Sequence, residues 1–263
     1  MNWSPNERYR RGDDIILGKD VGNILEEAIR EAKERILVSS PLIEERYVDI
    51  LIKKALEGVK VFVITSDDED NDGRFIASVA KYYKEEKLRE AEKDVAEWKF
   101  RRRRDKLVMA GIITLFVVAA MLAFAISFYF TAYALYLRAL AGGLALLSFF
   151  YYFFIGKKKI KEAEKRAAIA EYLFKKTSES VKADREKIKS NLAVLVVPRT
   201  KAYVHAKLYV IDDRAWAGSP NLTPSGLHKN YELLMEIDAS KAEKKFMELW
   251  NELIEILKSP AVS

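Results

Sequence analysis

His205 and Lys207, with Asp212 five residues further on, form the string His205-Ala-Lys207-Leu-Tyr-Val-Ile-Asp212; Gly218-Ser219-Pro-Asn221 and Asn230-Tyr-Glu232 follow closely. These residue types suit cleavage of a phosphodiester: an imidazole as nucleophile, a cation and neutral donors for the phosphate oxygens, and a carboxylate to hold the imidazole. Val196 to Ile211 is apolar and β-rich, so His205 and Lys207 are expected two apart on one strand. Side chains alternate along a strand, and both would then face the phosphate while Ala206, Leu208 and Val210 face a core.

The string resembles the HxKx4D signature of the phospholipase D superfamily, followed in order by its GSxN and NxE elements. That resemblance implies a metal-independent, cofactor-free route through a covalent phosphohistidine. A neutral imidazole attacks phosphorus, and a second imidazole protonates the leaving oxygen and then activates water. The candidate catalytic set is His205, Lys207, Asp212 and Glu232. Lys207, Ser219 and Asn221 are expected to bind the phosphate oxygens, where donors aimed at transition-state charge contribute most. Glu232 is expected to hydrogen-bond the far nitrogen of His205, and Asp212 to secure the loop at the strand end.

The chain contains two histidines, and His228 in Gly226-Leu-His-Lys-Asn230 lacks the Lys and Asp spacing of a second motif. Single-motif members of the family build one site from two copies across a two-fold axis. A homodimer with His205 from each subunit at a shared site is therefore expected, with His228 as a turn residue near the substrate mouth.

Leu107 to Ile155 is almost wholly apolar or aromatic, with Arg138 as its one charged residue. As a single helix it would reach ~73 Å at ~1.5 Å per residue, more than twice a hydrocarbon thickness of ~30 Å, so two transmembrane helices are expected, over 107–130 and 133–155. Phe128, Tyr129, Phe130, Tyr133 and Tyr136 would mark the far interface. Arg101–Arg104 with Lys106 precede the first span, and Lys157–Lys159 with Lys161 follow the second. This positive bias places both ends in the cytoplasm of a two-span cell-membrane protein.

The remaining sequence supplies the elements that must position the site. Residues 1–12 form a polar tail and 13–73 the first half of a phospholipase D-like α/β domain, with strands at Arg35–Ser39 and Val59–Thr65 and helices after Asp20 and over Glu45–Leu56. Residues 190–263 are the second half, with strands at Leu192–Val197, through the motif, at Arg214–Ala217 and at Tyr231–Ile237, and a closing helix over Lys241–Leu257. The expected fold is a mixed sheet flanked by helices, interrupted by the hairpin. Residues 74–106 and 157–189 are Lys, Glu and Ala-rich and read as two charged stalk helices. Phe75, Val79, Tyr82, Val95 and Trp98 on one, and Ile160, Ile169, Tyr172 and Leu173 on the other, are expected to form their seam. Upright, such a stalk would lift the domain about 45–50 Å.

Asp68-x-Asp70-x-Asp72-Gly73 matches the start of a calcium loop, but Val79 stands where the bidentate Glu belongs, and a turn opening the stalk helix explains the same residues. The net charge of +6 and pI of about 9.1 fit an anionic partner, although much of the surplus flanks the spans. Cys is absent, which excludes disulfide and thiolate chemistry. Gln is absent too, a hint of a thermophilic source. The expected activity is that of a membrane-anchored phosphodiesterase, with nucleic acid slightly favoured over phospholipid as substrate of a hydrolase or transferase. A non-catalytic membrane scaffold that binds phosphate-bearing partners is the alternative from a different class.

Overall fold

Alternation along two central strands sets the architecture. Ile36 and Val38 of one, and Val61 and Val63 of the next, face one apolar layer, whereas Leu37, Phe62 and Ile64 face a second. A strand with apolar residues on both faces must be covered on both sides. The computed structural model of the chain describes residues 15–259; the expected tail at 1–12 lies outside them. The elements are β1 (Ile15–Gly18), α1 (Gly22–Glu31), β2 (Arg35–Ser39), α2 (Glu45–Glu57), β3 (Lys60–Ser66), α3 (Ile76–Lys81), α4 (Glu85–Ile126), α5 (Ala134–Phe150), α6 (Lys157–Asn191), β4 (Leu192–Val197), β5 (Leu208–Ile211), β6 (Arg214–Gly218), β7 (Glu232–Ile237) and α7 (Ala239–Lys258). The chain divides into two units, one of residues up to Tyr83 together with those from Lys182, the other Lys84–Val181.

In the first unit the seven strands form one mixed sheet in the order β1-β7-β6-β5-β2-β3-β4. β2, β3 and β4 run parallel, and β5, β6, β7 and β1 continue the sheet antiparallel. Helices α1 and α2 cover one face through Leu25, Ile29, Tyr47, Leu51 and Ile52. Helix α7 covers the other with Phe246, Trp250 and Leu253, and Trp250 meets Phe62 edge-on at 5.3 Å. This registry brings the carboxyl ends of β2, β3, β4 and β6 and the amino ends of β5 and β7 to one end of the sheet, where ligands of α/β sheets commonly bind.

One expectation needs correction here, and one reading that the sequence already disfavoured finds no support. The motif strand begins at Leu208, so His205 and Lys207 lie in the loop that leads into β5; Lys207 joins the ladder only through its carbonyl, which accepts from the Gly218 N–H at 3.2 Å. The calcium reading also loses its ligands to structural duties. Asp72 accepts from the Glu45 N–H at 2.9 Å and so caps α2, while Asp68 engages Ser66 and Arg199.

The second unit is a helical hairpin. α4 runs unbroken from charged into apolar sequence, a turn at Ser127–Tyr133 follows, and α5 passes through a π-helical segment, Tyr151–Gly156, into α6. Two helical stretches of the chain are long and apolar enough to cross a membrane. The first expected stalk helix is interrupted, since Lys84 takes a left-handed backbone with φ 56° between α3 and α4. The seam also differs from expectation. Leu88, Ala91, Val95, Trp98, Arg102, Asp105 and Met109 on α4 are at least half-buried at alternating spacings of three and four, as are Ile160, Ala163, Ala167, Ala170, Phe174, Thr177 and Val181 on α6. Ile169, Tyr172 and Leu173 are exposed and Phe75, Val79 and Tyr82 precede α4, so alanines replace them at the contact. Ion pairs Lys99–Glu171 (2.9 Å) and Lys106–Glu164 (2.6 Å) flank the seam.

Candidate functional site

The site grows from three loops at the carboxyl end of the parallel strands. The first, between β4 and β5, turns at Pro198, whose carbonyl accepts from Lys201 N at 2.8 Å and Ala202 N at 3.1 Å. Its middle is tied down by Val204, which is buried in the α7-side core, and by the Ser39 hydroxyl, which donates to the Ala206 carbonyl at 3.1 Å. Between those anchors His205 is exposed, and Lys207 is 8% exposed.

Despite leaving the strand, the two side chains meet. Lys207 Nζ lies 3.0 and 3.2 Å from the two ring nitrogens of His205. Burial pulls the Lys207 ammonium below the usual lysine range, and the nearby Glu232 charge opposes that shift. On its other side His205 stacks on Tyr203, with centroids 5.5 Å apart and planes 25° from parallel.

The second loop follows β6. Gly218 is required there, because a Cβ would sit 2.0 Å from the Leu233 carbonyl oxygen of the paired strand. Ser219 then swings its hydroxyl toward β7, where it donates to Glu232 and accepts from the Leu233 N–H at 3.0 Å. The Tyr209 hydroxyl donates to the Pro220 carbonyl at 2.7 Å, and the Leu222 N–H donates to Ser40 Oγ at 3.1 Å, which fixes the turn that presents Asn221. Asn221 leaves its side-chain oxygen buried without a partner among the described residues.

The third group is Asn230 and Glu232 at the start of β7. Among the described residues the Glu232 carboxylate accepts from Ser219 and from Asn230 Nδ2 at 3.2 Å; it makes no hydrogen bond to His205, so the expected orienting contact is absent from the single chain. Sequence reasoning also missed Tyr203, which stands two residues before His205 and outside the motif.

Asp212 stands apart from this cluster. Its carboxylate accepts from the backbone N–H groups of Lys33, Glu34 and Arg35 at 2.9, 2.9 and 3.0 Å, and thereby ties the end of β5 to the start of β2. Burial alone would raise its pKa, but the three donors outweigh burial and hold it below the usual aspartate value. Its φ of 52° is a left-handed conformation that Asp tolerates better than most residues. All three of these hydrogen bonds are to backbone, and the Asp212 carboxylate lies outside the group formed by His205, Lys207, Ser219 and Glu232.

His228 is likewise outside the cluster. It lies in a π-helical turn, Ser225–Lys229, with Nε2 2.8 Å from Glu26 of α1 and Nδ1 3.7 Å from Asp20. Glu26 also accepts from the Tyr47 hydroxyl at 2.5 Å and pairs with Arg46 at 3.1 Å. Burial would raise the Glu26 pKa, yet the Tyr47 and His228 bonds and the Arg46 charge hold it low, and its carboxylate raises that of Tyr47 beyond what burial alone does.

Residues 179–254 match the family model described as cardiolipin synthase, PLD-like domain, a stretch that contains every residue of the cluster. The chain carries a phospholipase D-like domain. Among solved structures it is similar to NucT from Helicobacter pylori, at 13% identity over 92% of this chain and 94% of that one, with a TM-score of 0.41. It is similar also to Nuc from Salmonella typhimurium, a phospholipase D family member, at 12% identity over 92% and 93% of the two chains, with a TM-score of 0.39. A third is TrmBL2, an archaeal chromatin protein, at 12% identity over 90% and 52%, with a TM-score of 0.36. No curated protein matches the chain. Within the matched residues the HxK pair, the turn after β6 and the Glu232 carboxylate lie at one end of the sheet.

Proposed function

We propose that the protein is a membrane-anchored phosphodiesterase with His205 as nucleophile, Lys207, Ser219 and Asn221 as phosphate ligands, and a site completed by a second copy of the chain. The observation that carries this reading is the approach of Lys207 Nζ to both ring nitrogens of His205 at 3.0 and 3.2 Å. A poorly solvated ammonium next to an exposed imidazole forms a ready place for a phosphate anion, which draws the ammonium onto its oxygens and frees the ring nitrogen lone pair. Half a turn of the Asn221 amide replaces its unpartnered buried oxygen with an N–H donor for the same anion.

The neutral imidazole nitrogen then forms the P–N bond while the bond from phosphorus to the leaving oxygen breaks. That oxygen takes a proton from the imidazolium of the second copy's His205. The resulting neutral imidazole removes a proton from water, whose oxygen attacks phosphorus and breaks the P–N bond. One chain offers a single imidazole to this cluster, since His228 is engaged by Glu26, and a dimer supplies the second.

Nucleic acid is the favoured substrate. Tyr231, next to Glu232, is 78% exposed, and an aromatic face next to a cationic site suits a stacked base. Phospholipid is the second reading, favoured by two helices apolar enough for a bilayer, where such headgroups are the most concentrated phosphodiesters. On either reading the flanking cations favour a topology with both ends of the hairpin in the cytoplasm. The deciding assay offers single-stranded and duplex nucleic acid beside labelled phospholipid to detergent-purified protein in EDTA. Turnover that persists with chelator and vanishes in His205→Ala supports the proposal. Turnover abolished by EDTA contradicts it, and a His205→Ala variant that binds but never differed from wild type in turnover points to a scaffold.

A further inference from the structure

A histidine nucleophile needs its ring plane fixed, because attack requires one nitrogen lone pair to point at phosphorus. The usual device is a carboxylate on the far nitrogen, and here the expected one, Glu232, is bonded to Ser219 and Asn230 instead. The remaining ring contacts are Lys207 and Tyr203. Lys207 leaves the ring when a phosphate arrives, so the Tyr203 face is the contact that persists through the reaction.

Tyr203 is itself backed by a chain of contacts. The Arg199 guanidinium lies 5.1 Å from the Tyr203 ring centre. It donates to Asp68 at 2.9 Å, and the Arg199 backbone N–H donates to Asp67 at 3.1 Å. Asp68 in turn accepts from the Ser66 hydroxyl at 2.8 Å, at the last residue of β3. The Arg199 bond also holds the Asp68 carboxyl below its usual range, so this anchor stays ionised at neutral pH. The path therefore runs from the rigid sheet through Asp68, Arg199 and Tyr203 to His205.

Resting on the phosphodiesterase reading, we propose that Tyr203, braced by Arg199 and Asp68, is the positioning residue that orients the His205 ring. Its π face serves a second purpose. The imidazole gains positive charge as it bonds to phosphorus, and an aromatic face beside it stabilises that charge. The hydroxyl has no part in either role, so phenylalanine can replace tyrosine.

The test combines kinetics with a spectrum that does not need turnover. In full-length protein whose histidines carry 13C at the ring Cε1 alone, two ring C–H signals are expected, and His205→Ala identifies which belongs to the nucleophile. Tyr203→Leu should remove the ring-current shift from the His205 signal, leave that of His228 in place, and lower kcat by about 10- to 100-fold with KM changed far less. Tyr203→Phe should restore both signal and kcat. Asp68→Asn, which loosens the brace and keeps the stack, should fall between them. A His205 signal unmoved by Tyr203→Leu overturns the proposal, as does an unchanged kcat in that variant. If wild-type protein cleaves no phosphodiester, the functional reading falls, while the spectrum still decides the positioning.

Discussion

The sheet domain and the helical hairpin are built inside out with respect to each other. In the domain the large apolar side chains are interior: Ile36, Val63, Trp216 and Phe246 are all 0% exposed. In the hairpin many face outward, with Leu115 at 68%, Leu122 at 58% and Tyr129 at 86% exposed, while Ala123, Ala141, Ala163, Ala167 and Ala170 are among the buried residues, with Met109 and Val181. Gly156 even accepts the Met109 side chain where a Cβ would stand, 1.9 Å from its Cε. The domain meets its hydrophobic demand internally. The hairpin defers that demand to its surroundings and lets small residues bring helix backbones together, which is the pattern for packing in an apolar solvent. Composition alone shows both regions as apolar; the direction of burial separates them.

The largest expected consequence is a contrast between two truncations. Phe246→Ala should cost the domain about 3–5 kcal/mol in denaturant unfolding, whereas Leu122→Ala should change stability in detergent by less than about 0.5 kcal/mol. Equal losses would erase the comparison.

Next comes Asp212. Asp212→Ala should destabilise the domain by about 2 kcal/mol, through three backbone donors deprived of a charged acceptor, and Asp212→Asn by less, since it keeps one acceptor and tolerates the left-handed backbone. The pH dependence has a definite sign. The folded pKa of Asp212 is depressed, so its contribution is complete above the unfolded value near 3.8 and is lost as pH falls through the lower folded value. Unfolding curves of wild type and Asp212→Asn should therefore converge only under strongly acidic conditions, and convergence already at pH 6 would contradict the assignment.

Within the hairpin, Gly156→Leu should be costlier than any single outward-facing change, about 1–3 kcal/mol, because the helices must separate or Met109 must move. Circular dichroism melts in one detergent would compare it directly with Leu122→Ala. The smallest effect belongs to the charged seam. Lys106→Ala, which removes the partner of Glu164, should lower the melting temperature least of these variants, and less still at high salt.

The same contrast explains what was legible in the sequence. β2 and β4 lie where alternation and β-branched runs put them, and α2 and α7 agree to within two residues, because their apolar periodicity and their burial coincide. β1 was missed: Ile15–Gly18 is only four residues long, and Ile15 and Leu17 point outward. The seam was legible at Val95, Trp98 and Ile160 and not at Ala163, Ala167 and Ala170, because close helix packing also selects alanine, which carries no strong apolar signal. At the candidate site the residue types were readable and some of their partners were not. His205 and Lys207 meet because a loop folds them together, and the Ser219–Glu232 contact joins the turn after β6 to the start of β7. Tyr203 carries no motif signal, and only its stacking on the imidazole marks it.

The central claim is that two copies of His205 serve one phosphorus. Wild-type and His205→Ala chains carrying different tags can be co-assembled at a series of ratios and assayed for phosphodiester cleavage. If each site needs both imidazoles, specific activity should follow the square of the wild-type fraction. A strictly linear decline would mean that each chain works alone and would contradict the shared site.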